Sequence, residues 1–258
     1  MKARILALVG STGSGKSVLA ALLSRLYDVS EGQICVDNRD IRDLSLSTLR
    51  QAVTTAFEDP ILFSMSVAEN LRLGRPDATD VELAHAIDIA AAQFVYYLPF
   101  GLDTRIGEQG MNLSGGQRQR LSLARAILAA PKVLVIDDTL SALDVHTEAE
   151  VTDALRRVLR GVTGIVITHR ASTVLLADKV ALLGRNESGS TITHIGTHAE
   201  LLAGVPRYRS LLVGDDEHHV EQGSASPYNE DIDQLERMSE QLRAGTARAT
   251  RVLAASGP

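Results

Sequence analysis

The sequence predicts an α/β fold built on a parallel sheet, and three observations carry that expectation. Short runs of apolar residues recur at 5–9, 133–136, 164–168 and 180–183, each of a length that suits a strand buried on both faces. Segments with apolar residues at helical spacing separate them. The runs also end in residues with chemistry to offer: Gly10 after the first, Asp137 and Asp138 after the second, His169 after the third. Open parallel sheets bind ligands at the carboxyl ends of their strands, so these ends mark the candidate site.

Taken in order, residues 5–9 form a central strand and 17–26 a helix with Val18, Leu19, Leu22, Leu23 and Leu26 at helical spacing. Residues 33–36 read as a strand ending at Asp37-Asn38. Cys35 on that strand is the single cysteine, which excludes an internal disulfide and suits a reducing compartment; it reads as a small buried hydrophobe. Residues 47–53 form a short helix leading into another strand. The stretch 67–99 is helical, broken at Pro76-Asp77 and Leu98-Pro99, and reads as an insertion. The core returns with an amphipathic helix over 114–128, stopped before Pro131, and a helix over 147–159 follows the second buried strand. After Gly214 the chain turns polar, with Asp215-Asp216-Glu217-His218-His219 and a linker composition at 223–227; Ile232, Leu235, Met238 and Leu242 lie along one side of a short helix over 229–243. The expected organisation is one domain over 1–214, with a helical subdomain over about 66–130, and a polar, flexible tail over 215–258.

Composition narrows the function. A chain of 258 residues suffices for one α/β domain with a core, and 45% apolar residues is ordinary for a soluble protein. The net charge of -6 lacks the basic bias of a nucleic-acid binder, so nucleic acid is not expected as a partner. No stretch approaches the roughly 20 apolar residues of a membrane helix. Work at a membrane would therefore require another chain or another segment to cross it. His218 and His219 read as a solvated pair, with no further ligand at useful spacing.

Gly10-Ser11-Thr12-Gly13-Ser14-Gly15-Lys16-Ser17 fits the pattern G-x-x-x-x-G-K-[ST] between a strand and a helix. Glycines let such a loop curl until several backbone N–H groups point at phosphate oxygens, and the following helix offers its positive end to the same anion. Lys16 is placed to neutralise the β- and γ-phosphates, and the Ser17 hydroxyl to ligate Mg2+. Asp137 closes a buried strand, where a carboxylate is costly unless it meets a cation; it is the second magnesium residue. Together these residues predict a nucleoside triphosphatase.

Leu113-Ser114-Gly115-Gly116-Gln117-Arg118-Gln119-Arg120 closely resembles the signature of ATP-binding cassette (ABC) proteins. The resemblance runs from Ile5 to about Leu212. Ser141-Ala142-Leu143-Asp144 is similar to the family's D-loop and Thr168-His169-Arg170 to its switch-histidine segment. Pro60-Ile61-Leu62-Phe63-Ser64 and Val67-Ala68-Glu69-Asn70 resemble the region that touches the membrane domain. Residues 104–110 are similar to the X-loop of exporters, which favours an exporter over an importer.

The resemblance implies a P-loop NTPase (RecA-like) parallel-sheet core with a helical signature subdomain and an incomplete small antiparallel β subdomain. It implies ATP and Mg2+ as cofactors, with Gly10 to Ser17 on the phosphates. Ser114, Gly115, Gly116 and Gln117 would meet the γ-phosphate of ATP held by a second ABC ATPase domain, in a head-to-tail dimer. His169 would contact the γ-phosphate. The domain would sit peripherally on the cytoplasmic face of the cell membrane, through a transmembrane domain encoded upstream or carried by a partner chain. Export of an unidentified substrate is the expected function. A stand-alone ATPase subunit of an importer and a non-catalytic ATP-binding cassette are the alternatives.

Three departures from the family pattern stand out. The residue after the magnesium aspartate is normally glutamate and polarises the attacking water; here it is Asp138, shorter by one methylene, roughly 1.5 Å. Slow hydrolysis at this chain's own site is the expectation, and with an intact signature it implies one half of a heterodimer. The Q-loop glutamine is replaced by Glu58, whose carboxylate can reach the metal or the water, so Glu58 joins both the catalytic and the metal set. Finally, only Met1 to Arg4 precede Ile5, where family members carry further strands and an aromatic residue that stacks on adenine. The chain is expected to lack that stacking, either because an upstream stretch is absent from it or because the domain is naturally shortened.

Overall fold

A computed structural model describes residues 5–107, 112–186 and 189–213. The chain opens with β1 (Ile5–Val9), the phosphate-binding turn and α1 (Lys16–Leu23). A two-residue ribbon follows, β2 (Cys35–Val36) against β3 (Arg39–Asp40), and then α2 (Leu46–Ala52) and β4 (Val53–Ala56). A run of helices follows, α3 (Val67–Arg72), α4 (Asp80–Ile89) and α5 (Gly115–Leu128). The core resumes with β5 (Val133–Asp137), α6 (Val145–Val158), β6 (Thr163–Ile167), α7 (Ala171–Val174), β7 (Lys179–Asn186) and β8 (Gly189–Gly196). It closes with α8 (His198–Gly204) and α9 (Pro206–Val213).

Among the described residues, six strands form one sheet in the order β4-β5-β6-β1-β7-β8. All neighbours are parallel except β8, which runs antiparallel to β7. The twofold alternation of strand side chains sorts the core into layers. Leu134, Ile136 and Val166 face a cluster with α3 to α6, while Val135, Ile165, Ile167 and Leu8 face another that includes Ala20 and Leu23 of α1. Thus α1 and α5 lie on opposite faces of the sheet. Ala7, Val9, Val180 and Leu182 pack with Leu201, Val205 and Tyr208 of the C-terminal helices.

The expected α/β class, parallel sheet and small antiparallel ribbon are all present, with differences in detail. The strand expected over 33–36 is confined to Cys35–Val36, because Asp37 and Asn38 turn the chain at φ 51 and 61 and β3 returns at once. Cys35 is exposed, not buried. Ile34 and Val36 pack inward, so the alternation turns the thiol out. The hairpin β7–β8 and the helices α8 and α9 were not anticipated, although Thr197 and Glu200 form a capping box that the sequence displays. No helix among the described residues is long and apolar enough to cross a membrane. X-loop residues 108–110 and the whole tail from 215, with its expected helix, lie outside the described residues.

The segment after α3 meets α5 at close quarters. A Cβ on Gly74 would lie 2.3 Å from the carbonyl oxygen of Arg125 on α5, and the Arg125 guanidinium donates to Ile61 O at 3.0 Å. Backbone cannot yield as a side chain does. Gly74→Ala is therefore expected to destabilise the chain by about 1–3 kcal/mol, as overpacking does, seen as a lower midpoint in urea.

Candidate functional site

The parallel strands deliver their carboxyl ends to one edge of the sheet, and the expected residues gather there. At the end of β1 the loop curls through Gly13 at φ 74 and Gly15 at φ 88, in the region that favours glycine. Gly10 is required by a close approach, since a Cβ there would sit 2.6 Å from Ser14 Oγ and 2.8 Å from Leu183 O. Lys16 lies across the loop and donates to Gly10 O at 2.8 Å and Ser11 O at 3.1 Å. Helices α2 to α6 and α8 are capped by Ser, Thr or Asp side chains; α1 begins at Gly15 with no side-chain cap and no acidic residue in its first turn. α1 thus turns an end with no side-chain cap and no carboxylate toward the loop, which suits an anion.

At the end of β5, Ser17 Oγ donates to Asp137 Oδ1 at 3.4 Å. Burial pushes the Asp137 carboxyl up to about 6, the neighbouring Asp138 adds to the rise, and Ser17 and Lys16 oppose it. Glu58, just beyond β4, is also raised, first by burial and then by the charges of Asp138, Asp59 and Asp137. A half-buried carboxylate cluster of this kind calls for a cation, and its hard oxygens suit Mg2+. No group of three or more His, Cys, Asp or Glu side chains among the described residues forms a metal cage by itself. Mg2+ does not need one, because it keeps waters and takes substrate phosphates as ligands.

Asp138 has a left-handed backbone, φ 42, and its N–H donates to Ile167 O at 2.9 Å, tying the end of β5 to β6. Its Oδ2 lies 2.7 Å from His169 Nδ1. A carboxylate only accepts, so this contact puts a proton on Nδ1. The structure therefore brings together Ser17, Asp137, Asp138, Glu58 and His169 around the phosphate loop.

Ser114 to Gln117 stand elsewhere. Ser114 caps α5 by accepting from Gln117 N–H at 3.2 Å, and Gln117 Oε1 accepts from Ser114 N–H at 2.9 Å. A Cβ on Gly116 would lie 2.9 Å from Ala142 O, whereas one on Gly115 would meet nothing closer than 3.8 Å. Gly116 is thus required by this chain's own packing and Gly115 is not.

Residues that sequence reasoning left without a role join these parts. Gln119 donates to Glu58 O at 3.2 Å and to Ser141 Oγ at 3.0 Å, and accepts from Ala142 N–H at 3.0 Å. Arg170 donates to Ser141 O at 2.8 Å and pairs with the buried Glu148, which also accepts from Ser172 and Thr173. Thr139 Oγ1 donates to Ala56 O at 2.8 Å, linking the ends of β5 and β4. A legible signal existed for Gln119: it shares the apolar face of α5 with Leu123 and Ala126, where a polar residue needs partners.

Comparison with known proteins agrees with this geometry. The family described as "ABC transporter" matches residues 1–141, more than half of the chain. ABC transporter B family member 1 of Arabidopsis thaliana is 46% identical over 201 residues, which cover 78% of this chain and 15% of that protein. The beta-(1-->2)glucan export ATP-binding/permease protein NdvA of Nitrobacter winogradskyi is 46% identical over 207 residues, covering 80% of this chain and 33% of that protein. The structure of a bacterial Atm1-family ABC exporter with ATP bound matches with a TM-score of 0.75 and 36% identity, over 81% of this chain and 36% of that one. The chain thus spans about a third or less of the length of these relatives. It belongs to the ABC transporter family, through the ATP-binding domain of that family.

Proposed function

We propose that this chain is the ATP-binding and ATP-hydrolysing domain of an ABC exporter, and that it works against a second such domain as one half of an asymmetric dimer. The carrying observation is the separation of two phosphate-type helix N-termini. α1 opens beside the carboxylates, while α5 opens from the other face of the sheet, with Gly115 free of any packing need. One chain thereby offers a phosphate loop to its own ATP and a signature to another's. Residues 1–214 serve as the ATPase domain, with about 66–130 as its signature subdomain. The membrane-crossing part lies in a segment upstream or in a partner chain, and the domain docks at the cytoplasmic face. The names of relatives such as NdvA, which pair ATP-binding with permease, support this placement.

Each residue then has a task. Gly10 to Ser17 bind and orient the triphosphate; Ser17, Asp137 and Glu58 would hold Mg2+, which would supply positive charge against the phosphates. Asp138 orients the attacking water and is itself aligned by His169, 2.7 Å away. The short Asp138 side chain slows this step.

Sedimentation of the protein in ATP, with phosphate release followed in parallel, tests the reading. Slow hydrolysis with ATP-dependent pairing to a second ABC domain is expected. Rapid hydrolysis by a homodimer of this chain would remove the asymmetric part, and failure to bind ATP would remove the whole.

A further inference from the structure

The edge of the sheet is polarised. The phosphate loop sits at the end of β1; on one side β6, β5 and β4 bring His169, the Asp137–Asp138 pair and Glu58, and on the other side β7 brings Arg185. A Cβ on Gly13 would lie 3.9 Å from Arg185 Nη1. Arg207, in the first turn of α9, reaches the same wall: its Nη2 donates to Ser11 Oγ at 3.5 Å, and its Nη1 would lie 3.4 Å from a Cβ on Gly184. Both arginines are exposed, and neither is in an ion pair among the described residues. In a chain of net charge -6, two guanidinium groups with no carboxylate partner among the described residues converge on an anion-binding loop.

We propose that Arg185 and Arg207 form a second cationic wall of the nucleotide site and hold the polyphosphate from the side opposite the carboxylates. This rests on the ATP-binding reading above. Lys16 and Mg2+ do not neutralise an ATP of about four negative charges alone against the nearby carboxylates. Guanidinium groups are suited to the remainder, because their planar fork matches phosphate oxygens. Their exposure makes the contribution sensitive to salt.

The test is nucleotide binding to the protein, read with fluorescent N-methylanthraniloyl ATP and ADP and with unlabelled adenosine as competitor. Arg185→Glu and Arg207→Glu are compared with Lys16→Ala and with Arg209→Gln, whose guanidinium donates, among the described residues, to Leu202 O and Ala203 O. Each charge reversal is expected to raise Kd for ATP and ADP on the order of 10-fold at low salt, shrinking to about twofold near 0.5 M salt. Adenosine binding and the melting temperature should not move, and Arg209→Gln should match the parent. The conservative Arg185→Lys should restore most of the affinity. Unchanged ATP affinity in both reversals, with Lys16→Ala losing it, would overturn the arginine wall and leave the ATP-binding reading standing. No binding by the parent protein would overturn both. An equal loss of adenosine binding would also count against the proposal, because adenosine has no phosphate.

Discussion

Asp138→Glu is expected to raise ATP turnover in the assembled protein by on the order of 10- to 100-fold, since a displacement of about 1 Å at a reacting group costs up to that much. The Asp138 carboxylate is drawn to His169 Nδ1 at 2.7 Å, and its backbone is fixed by the bond from its N–H to Ile167 O. A side chain one methylene longer carries its oxygens farther from the same anchor, by roughly 1.5 Å. The left-handed φ of 42 suits aspartate better than glutamate, so a small loss of stability accompanies the gain in rate. Phosphate release with ATP binding measured alongside checks it. Equal rates with equal binding would show that Asp138 does not limit the step.

Asp137→Asn should do the reverse, stabilising the metal-free protein while removing its response to Mg2+. The Asp137 carboxyl is pushed from 3.8 to about 6 by burial, so the native state holds its proton more tightly than the unfolded chain does. Stability is therefore lost as pH rises from about 4 to about 6, and the ionised carboxylate weighs on the fold above that range. Asparagine is neutral at every pH and can still accept from Ser17. Above pH 6 the variant should gain up to about 3 kcal/mol, at 1.36 kcal/mol per pKa unit. That is roughly 6–12 °C in melting temperature. Melts in EDTA at several pH values should show the advantage fading toward pH 4. Melts with ATP should show Mg2+ stabilising the parent and not the variant. A variant no more stable than the parent at pH 7.5 would mean that the carboxylate is not strained by burial.

Much of the site was legible because it is local in sequence. The phosphate loop, Asp137 and His169 each end an apolar run, and parallel strands place such ends together without further information. What stayed hidden was set by pairs distant in the chain. β8 was missed because its run of Ser, Thr, His and Ile is half-exposed on an outer strand and lacks the apolar density of the inner ones. Cys35 was misjudged because a two-residue strand has one inward face, and only the β3 pairing shows which. Arg185 and Arg207 gave no sign at all: each looks like a surface arginine until β7 and α9 are brought against Ser11 and Gly13.

Gln119 carries an evolutionary consequence. It grips residue 58 by its carbonyl and residue 142 by its N–H, and Arg170 grips residue 141 by its carbonyl. Asp138 is likewise anchored through its main chain. Such bonds to the main chain do not depend on the side chain at these positions, although the left-handed φ of Asp138 still favours aspartate. Position 58 can exchange glutamine for glutamate, and position 138 glutamate for aspartate, without loosening the scaffold around them. Single substitutions at these two positions would thus alter the chemistry of the site while leaving its main-chain frame in place.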